Sequence, residues 1–412
     1  MHLSPVLGQL VLGYSPLMDR GRAPVATRLT VFPEPRHAEP DARGLLAAVM
    51  SVWPEPAGER GWSAARAAPG AGAATGALAP VLLNIASEPW LRAMLDAQPS
   101  SHVMLEVPAF MATAAANEEA LRALHRSGNV LVFKGRPVSE LPAALASCFR
   151  FALVDGDDAP GGPDASRALL PIQTGTRAPS DLDAAFARGA VAALGWPLEG
   201  DIVVADAEAQ RADLAIVAEL IRRVDAEEPV PRLEAVLRRE PRLSFLLIRQ
   251  LNSAAFGLPV GVSSIGDAIM LLGYRRFRRW LALLLVSAQG DPATKPLIFA
   301  AVRRGFVLEE LAGAGSDAEL RSDMFICGVF SLLDRILGRS FTELFGDLAV
   351  SERVKQALID GAGPCMPYLT LALALEQGVR SDILEAADRC LLGLGEVNAA
   401  LLRALAAARS LE

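Results

Sequence analysis

The sequence predicts two folds in succession: an α/β barrel of the (β/α)8, TIM type in modified form, then an all-α helical domain. Three observations predict this. Up to about residue 205, eight short β-type runs alternate with helical stretches and Pro/Gly-rich loops, and such alternation implies largely parallel pairing. After about residue 206 the strand signals stop and apolar residues recur at three and four, as in Leu214, Val217, Leu220 and Ile221 and again in Leu243, Leu246, Leu247 and Leu251, the period of an amphipathic helix. The chain's 412 residues, 52% hydrophobic and 21% charged, are enough for two domains with a core each. The expected domains are therefore 1–205 and 206–412.

The strand runs are Gln9–Tyr14, Val25–Phe32, Pro80–Ile85, His102–Val107, Asn129–Phe133, Phe149–Val154, Ala168–Ile172 and Val191–Gly195. Asp19, Arg20, Gly21 and Arg22 form a hairpin-like link between the first two, so one pair should be antiparallel. Helical patterns fall between most of the others, at Ala42–Val52, Glu88–Ala97, Glu118–Arg126, Glu140–Ser147 and Leu182–Arg188. Residues 58–76 are rich in Ala and Gly and read as a flexible insertion. The acidic stretch Asp155–Pro163 lacks the spacing of a calcium loop and reads better as a solvated turn. In the second half, Pro231, Pro241, Pro259, Pro292 and Pro364 sit where helices should begin.

Charge and composition exclude several classes of function. A net charge of −7 gives no global attraction to nucleic acid or to an anionic membrane. Cys148, Cys327, Cys365 and Cys390 form no CxxC pair, which argues against a zinc site or a disulfide scaffold and for a reducing compartment. Pro5, Gly8, Gly13 and Pro16 interrupt the N-terminus, so no secretion signal is expected. The longest strongly apolar stretch, Trp280–Ala288, is far shorter than the ~20 residues of a spanning helix. A cytoplasmic chain without membrane insertion is the expectation.

The chemistry is limited too. His2, His37, His102 and His125 all precede Arg126, so the helical half has no imidazole with which to hold a metal. His102 and His125 read as surface or hydrogen-bonded residues, since no third ligand pairs with them. Neither a P-loop nor a nucleophile elbow is present, and no cofactor is expected.

Within the helical half, Glu240-Pro241, Leu243-Ser244, Leu251-Asn252-Ser253 and Phe256-Gly257 are followed by Ile265, Ala268-Ile269, Leu272-Gly273 and Arg279-Trp280-Leu281, and later by Gly328 to Asp334. This series resembles the HDOD domain. The resemblance implies an all-α relative of the His-Asp phosphohydrolases that has lost the metal-binding residues, in accord with the missing histidines.

HDOD domains recur after EAL domains, barrels that hydrolyse cyclic di-GMP, and the first half resembles an EAL barrel in degenerate form. Gly13–Arg20 is similar to that family's opening strand and turn. Where the family carries its signature glutamate, this chain has Arg28 within Thr27–Thr30. Asn84 and Glu106 match two surviving ligand positions, and Asp155 stands for a lysine-aspartate strand end. Phe133, Lys134 and Gly135 replace a pair of aspartates, and Gly195-Trp196 replaces a glutamine-glycine-tyrosine. Two-metal phosphodiester hydrolysis needs several carboxylates and a base, and Arg28 and Lys134 would repel cations from the centre. Asn84 and Glu106 could retain one metal or a nucleotide edge, or be leftovers. The barrel is expected to be catalytically inactive.

One cluster, Tyr274–Trp280, is basic and aromatic. As a nucleic-acid patch it competes with a simpler reading: Phe277, Trp280, Leu281 and Leu284 form a core stripe and leave arginines at the surface. The exposed members of Arg275, Arg276, Arg278 and Arg279 are then candidate protein-docking residues. Asn252 and Ser253 are candidates as well, unless they cap or brace helix ends. The expected function is a non-enzymatic signal-transduction adaptor. Its helical domain would dock protein partners, among which the resemblance implies a diguanylate cyclase, a histidine kinase or a response regulator, and its barrel would be a regulatory or dimerising platform. The alternative is a residual cyclic di-GMP phosphodiesterase or receptor.

Overall fold

The computed structural model of the chain describes residues 4–35, 39–54, 81–135, 143–155, 169–200, 207–238, 264–287, 292–313, 316–348 and 350–409. The insertion expected at 58–76, most of the acidic loop after Asp155, and Asn252 and Ser253 lie outside the described residues.

Eight strands close into a barrel in sequential order: β1 (Leu10–Met18), β2 (Pro24–Pro33), β3 (Val81–Ile85), β4 (Val103–Pro108), β5 (Leu131–Lys134), β6 (Phe149–Val154), β7 (Leu170–Gln173) and β8 (Ala192–Leu194). The Asp19–Ala23 link is the expected hairpin, with Ala23 N–H donating to Asp19 Oδ1 at 2.9 Å. Arg22, not Gly21, takes the left-handed backbone there, at φ 60°. The expected single antiparallel pair becomes two. Because β1 runs against every other strand, closure makes β1 antiparallel to β8 as well as to β2, while the remaining pairs are parallel.

Short helices alternate with the strands: α1 (Ala42–Val52), α2 (Glu88–Asp96), α3 (Ala109–Ala112), α4 (Glu118–Arg126), α5 (Ala143–Ala146) and α6 (Pro179–Ala187). Asp41 caps α1 by accepting from Gly44 N–H at 2.8 Å, and Leu45, Val49 and Val52 bury one face of it. Glu118 and Glu119 open α4 and His125 and Arg126 close it, so its charges complement the helix dipole.

The barrel interior follows from the two-residue period of a strand. Ala26, Leu82, Met104, Val132, Phe151, Ile172, Ala192 and Leu194 form one apolar cluster. Two residues further along their strands, on the same face, come Arg28, Asn84, Glu106 and Lys134. A polar layer thus lies on an apolar floor, at the carboxyl ends of the parallel strands.

After residue 206 the described elements are helical: α7 (Ala207–Asp225), α8 (Val230–Leu237), α9 (Ile265–Ser287), α10 (Lys295–Leu311), α11 (Ala318–Phe330), α12 (Leu333–Leu337), α13 (Phe341–Asp347), α14 (Glu352–Leu358), α15 (Met366–Gln377), α16 (Arg380–Arg389) and α17 (Leu394–Arg409). α9 is broken at Gly273, whose φ of 70° and ψ of 160° are not helical. α10 and α11 cross in close contact, for a Cβ on Gly328 would lie 2.5 Å from the backbone of Arg304 and Gly305.

By its contacts the chain divides into two units, 1–200 with 370–406 and 201–369 with 407–412. The second expected domain, 206–412, thus has most of its last stretch grouped with the barrel. Asn398 shows the reason: buried, it accepts from Leu12 N–H at 3.2 Å and donates to the Leu7 and Leu10 carbonyls at 2.7 Å each. β1 pairs with β8 only at Leu17 and Met18, so the open edge at the start of β1, with Leu7 just before it, takes these bonds from α17. Gly13 makes room for the turn after α15, where an added Cβ would come within 2.6 Å of Gly378 Cα.

Candidate functional site

Thr30, Asn84, Glu106 and Lys134 are brought to the mouth of the barrel by strand register: Thr30 lies opposite Asn84, and Pro108 opposite Lys134. In register Glu106 is opposite Val132, so Lys134 falls two residues beyond that pairing. The Glu106 side chain is fully buried, whereas that of Lys134 is 39% exposed.

A buried carboxylate needs compensating charge, and Arg28 supplies it through a two-pronged contact, Nε to Oε1 at 2.5 Å and Nη2 to Oε2 at 2.7 Å. Lys134 Nζ donates to Asn84 Oδ1 at 2.8 Å and lies 3.5 Å from Glu106 Oε2. Asn84 Nδ2 in turn faces Thr30 Oγ1 at 3.4 Å. The sequence suggests that Arg28 and Lys134 would repel a cation. They do more, occupying the oxygens of Glu106 and Asn84 that a cation would use.

Asp155 follows β6 and lines the same cavity, but its carboxylate accepts from the Thr174 hydroxyl and does not join the cluster. Among the described residues, no group of three or more His, Cys, Asp or Glu side chains is placed to hold a metal ion. His125 is exposed on α4 and His102 is half-buried before β4.

The cavity above this layer has a volume of about 1890 Å3 and is lined by Tyr14, Phe32, Lys134 and Trp196 among others. Two contributors escape sequence reasoning. Gln173, buried at the end of β7, accepts from Arg188 Nη2 at 3.0 Å. Glu376–Val379 also rims the cavity, with Trp196 Nε1 donating to the Glu376 carbonyl at 3.1 Å. Long-range packing places that segment, and a composition-based reading has no signal for it. Trp196 stands edge-on to Tyr14 with ring centroids 5.5 Å apart.

In the helical unit the arginine cluster separates into two kinds. Arg275 and Arg276 are exposed. Arg278 and Arg279 are half-buried and paired, so the exposed members of the candidate set are Arg275 and Arg276. Arg278 Nε pairs with Asp225 Oδ1 at 2.8 Å; burial raises the Asp225 carboxyl above its ordinary range, and the arginine opposes that rise. Arg279 contacts Glu309 at 2.7 Å and lies over the Phe325 and Phe306 rings, at 3.9 and 4.7 Å from their centroids. Burial lowers its guanidinium from the ordinary value, against the pull of Glu309. The core stripe holds: Phe277 and Leu281 are fully buried, Leu284 nearly so, and the half-buried Trp280 stacks on Phe277 with centroids 5.8 Å apart.

This helical unit contains the family match. Residues 214–338 match the HDOD domain. The HDOD region thus begins within α7 and ends just after α12, before the stretch that packs with the barrel. Two curated relatives are similar over part of their length. The chain is 31% identical over 162 residues to the uncharacterized protein YuxH of Bacillus subtilis, covering 38% of this chain and 39% of that protein. It is 29% identical over 175 residues to the cyclic di-GMP phosphodiesterase CdgJ of Vibrio cholerae, covering 41% and 40%. The matches thus span about two fifths of either relative. The HDOD match and the similarity to CdgJ point to signalling. Among the described residues no single helix is long and apolar enough to cross a membrane.

Proposed function

We propose that the chain is a non-enzymatic signal-transduction adaptor in which a degenerate EAL-like barrel, without a working metal centre, is the regulatory or dimerising platform for a helical HDOD region that docks protein partners in the cytoplasm. The observation that carries this reading is the Glu106 carboxylate, fully buried and gripped at both oxygens by Arg28. Activating a water on metal ions needs open carboxylate oxygens. Here the carboxylate of the polar layer is neutralised by Arg28, and Lys134 holds the amide oxygen beside it, so the donor set does not fit a metal ion. The candidate partners remain a diguanylate cyclase, a histidine kinase or a response regulator, with no role for nucleic acid.

The deciding experiment incubates the purified chain with cyclic di-GMP and magnesium or manganese. No turnover is expected. Turnover that disappears in Glu106→Gln would overturn the proposal. For the docking role, Arg275→Glu with Arg276→Glu should leave stability unchanged and weaken recovery of a partner from the native host; unchanged recovery would reject those two arginines as anchors.

A second reading, a residual cyclic di-GMP phosphodiesterase or receptor, draws on the similarity to CdgJ. The same incubation tests the first half of it, and titration with cyclic di-GMP tests the second.

A further inference from the structure

Within the helical unit the fold brings two cysteines together that the sequence keeps far apart. Cys327 lies on α11 and Cys365 stands immediately before α15, and both are fully buried free thiols. Their side chains share a hydrogen bond, although the chain between them carries α12, α13 and α14.

The two sulfurs are not equivalent. The Cys365 carbonyl accepts from Leu369 N–H at 3.0 Å, which makes Cys365 the cap of α15 and sets it at the positive end of that helix. The Arg353 guanidinium, bonded to the buried Asp323 carboxylate at 3.2 Å, acts on the same thiol. Hydrogen bonding from Cys327, together with Arg353, draws the Cys365 thiol below its ordinary value against burial and Asp323. The same hydrogen bond, with burial, pushes the Cys327 thiol up. Cys365 is thus disposed to be the thiolate and Cys327 its thiol partner. Burial raises the other two thiols, Cys148 and Cys390, the latter to about 11. The approach to Cys365 is short: residues 359–364 are exposed, and Gly361 and Gly363 take left-handed backbone. A local opening of that turn reaches Cys365 without unfolding α11.

We propose that Cys327 and Cys365 form a redox modification site, at which hydrogen peroxide converts the pair to a reversible disulfide that ties α11 to the start of α15. Cys365 Sγ, having released its proton, attacks one oxygen of the peroxide; the O–O bond breaks, the departing hydroxide takes up a proton as water, and Cys365 becomes a sulfenic acid. Cys327 Sγ then attacks that sulfur and gives up its proton, the S–O bond breaks, and a second water leaves as the disulfide forms. Two electrons pass from the thiols to the peroxide. In a reducing compartment the resting form is the dithiol, and a dithiol reductant restores it. This inference is independent of the barrel and of its reading as metal-free.

The test exposes the purified full chain, without denaturant, to hydrogen peroxide, blocks the remaining thiols with iodoacetamide and maps tryptic peptides without reduction. Cleavage after Arg321, Arg335, Lys355 and Arg380 places Cys327 in residues 322–335 and Cys365 in residues 356–380. A linked pair of these peptides is expected, at least about tenfold above any link to Cys148 or Cys390, and dithiothreitol should abolish it. In Cys327→Ala, dimedone should trap a sulfenic acid at Cys365; in Cys365→Ala, trapping at Cys327 should be at least about tenfold lower. The disulfide should also raise the thermal midpoint of the parent by about 5 °C, since it constrains the unfolded chain. Absence of the linked peptide, or its formation only in urea, overturns the site. Equal trapping at the two positions overturns Cys365 as the attacking sulfur, and an unchanged midpoint overturns the tie between α11 and α15. The linked peptide is read in the parent chain, so the site stands or falls without either variant, whose folding circular dichroism checks.

Discussion

Glu106→Gln preserves the size of the side chain and removes its charge, leaving Arg28 and Lys134 as two cations around a neutral amide. Removing one member of a buried ion pair costs about 3–5 kcal/mol, because the other charge stays desolvated. Arg28 is 19% exposed and Lys134 39% exposed, so both recover some hydration. The loss should therefore lie near the lower end of that range, about 3 kcal/mol. With a urea dependence of about 3 kcal/mol per molar, the unfolding midpoint of the barrel would fall by about 1 M. Trp196, packed against Tyr14 in the barrel unit, is the local fluorescence probe. Arg28→Met alone should destabilise as well, since it leaves Glu106 buried with only the more distant Lys134. Arg28→Met with Glu106→Leu removes both charges and should recover most of the loss, a coupling of about 2 kcal/mol or more. A midpoint shift under about 0.2 M for Glu106→Gln, or a coupling under about 0.5 kcal/mol, would refute the argument that this pair neutralises the centre of the barrel.

Two further predictions concern packing and pH. Asn398→Leu strands one backbone N–H and two carbonyls of the segment Leu7–Leu12; a loss of about 3 kcal/mol should lower the thermal midpoint of the barrel by roughly 6–12 °C, and a midpoint within about 2 °C of the parent would contradict the bracing role of α17. Burial raises the Asp334 carboxyl from 3.8, against its backbone hydrogen bonds and Arg335. Ionising it therefore costs more in the folded chain than in the unfolded one, so its contribution is fully present below the unfolded value and is lost as pH rises through the folded value. Asp334→Asn should thus be more stable than the parent at pH 7 and equal to it near about pH 3, as read by urea unfolding at both; a variant less stable at pH 7 would refute the sign.

The order and type of the elements were legible in the sequence because they rest on local periodicity. Alternating strands and helices specify the barrel, since each strand carries its own inward and outward faces. α1 and α4 match their predicted spans because a cap or terminal charges and a continuous apolar face coincide there. Glu106 and Arg28 could be singled out in the sequence by the resemblance to the EAL barrel, at positions matching that family's ligands. Their pairing could not. The bond joins residues 78 positions apart, and its geometry depends on barrel closure and register. The same limit explains Arg278 and Arg279, which resemble their exposed neighbours in sequence and are distinguished only by Asp225, Glu309 and the rings of Phe306 and Phe325. It also explains Asn398, hydrogen-bonded to residues nearly four hundred positions away. Periodicity along the chain determined which face of each element is apolar; tertiary structure decided which charges meet, because a buried charge must find its partner in space wherever that partner lies in the sequence.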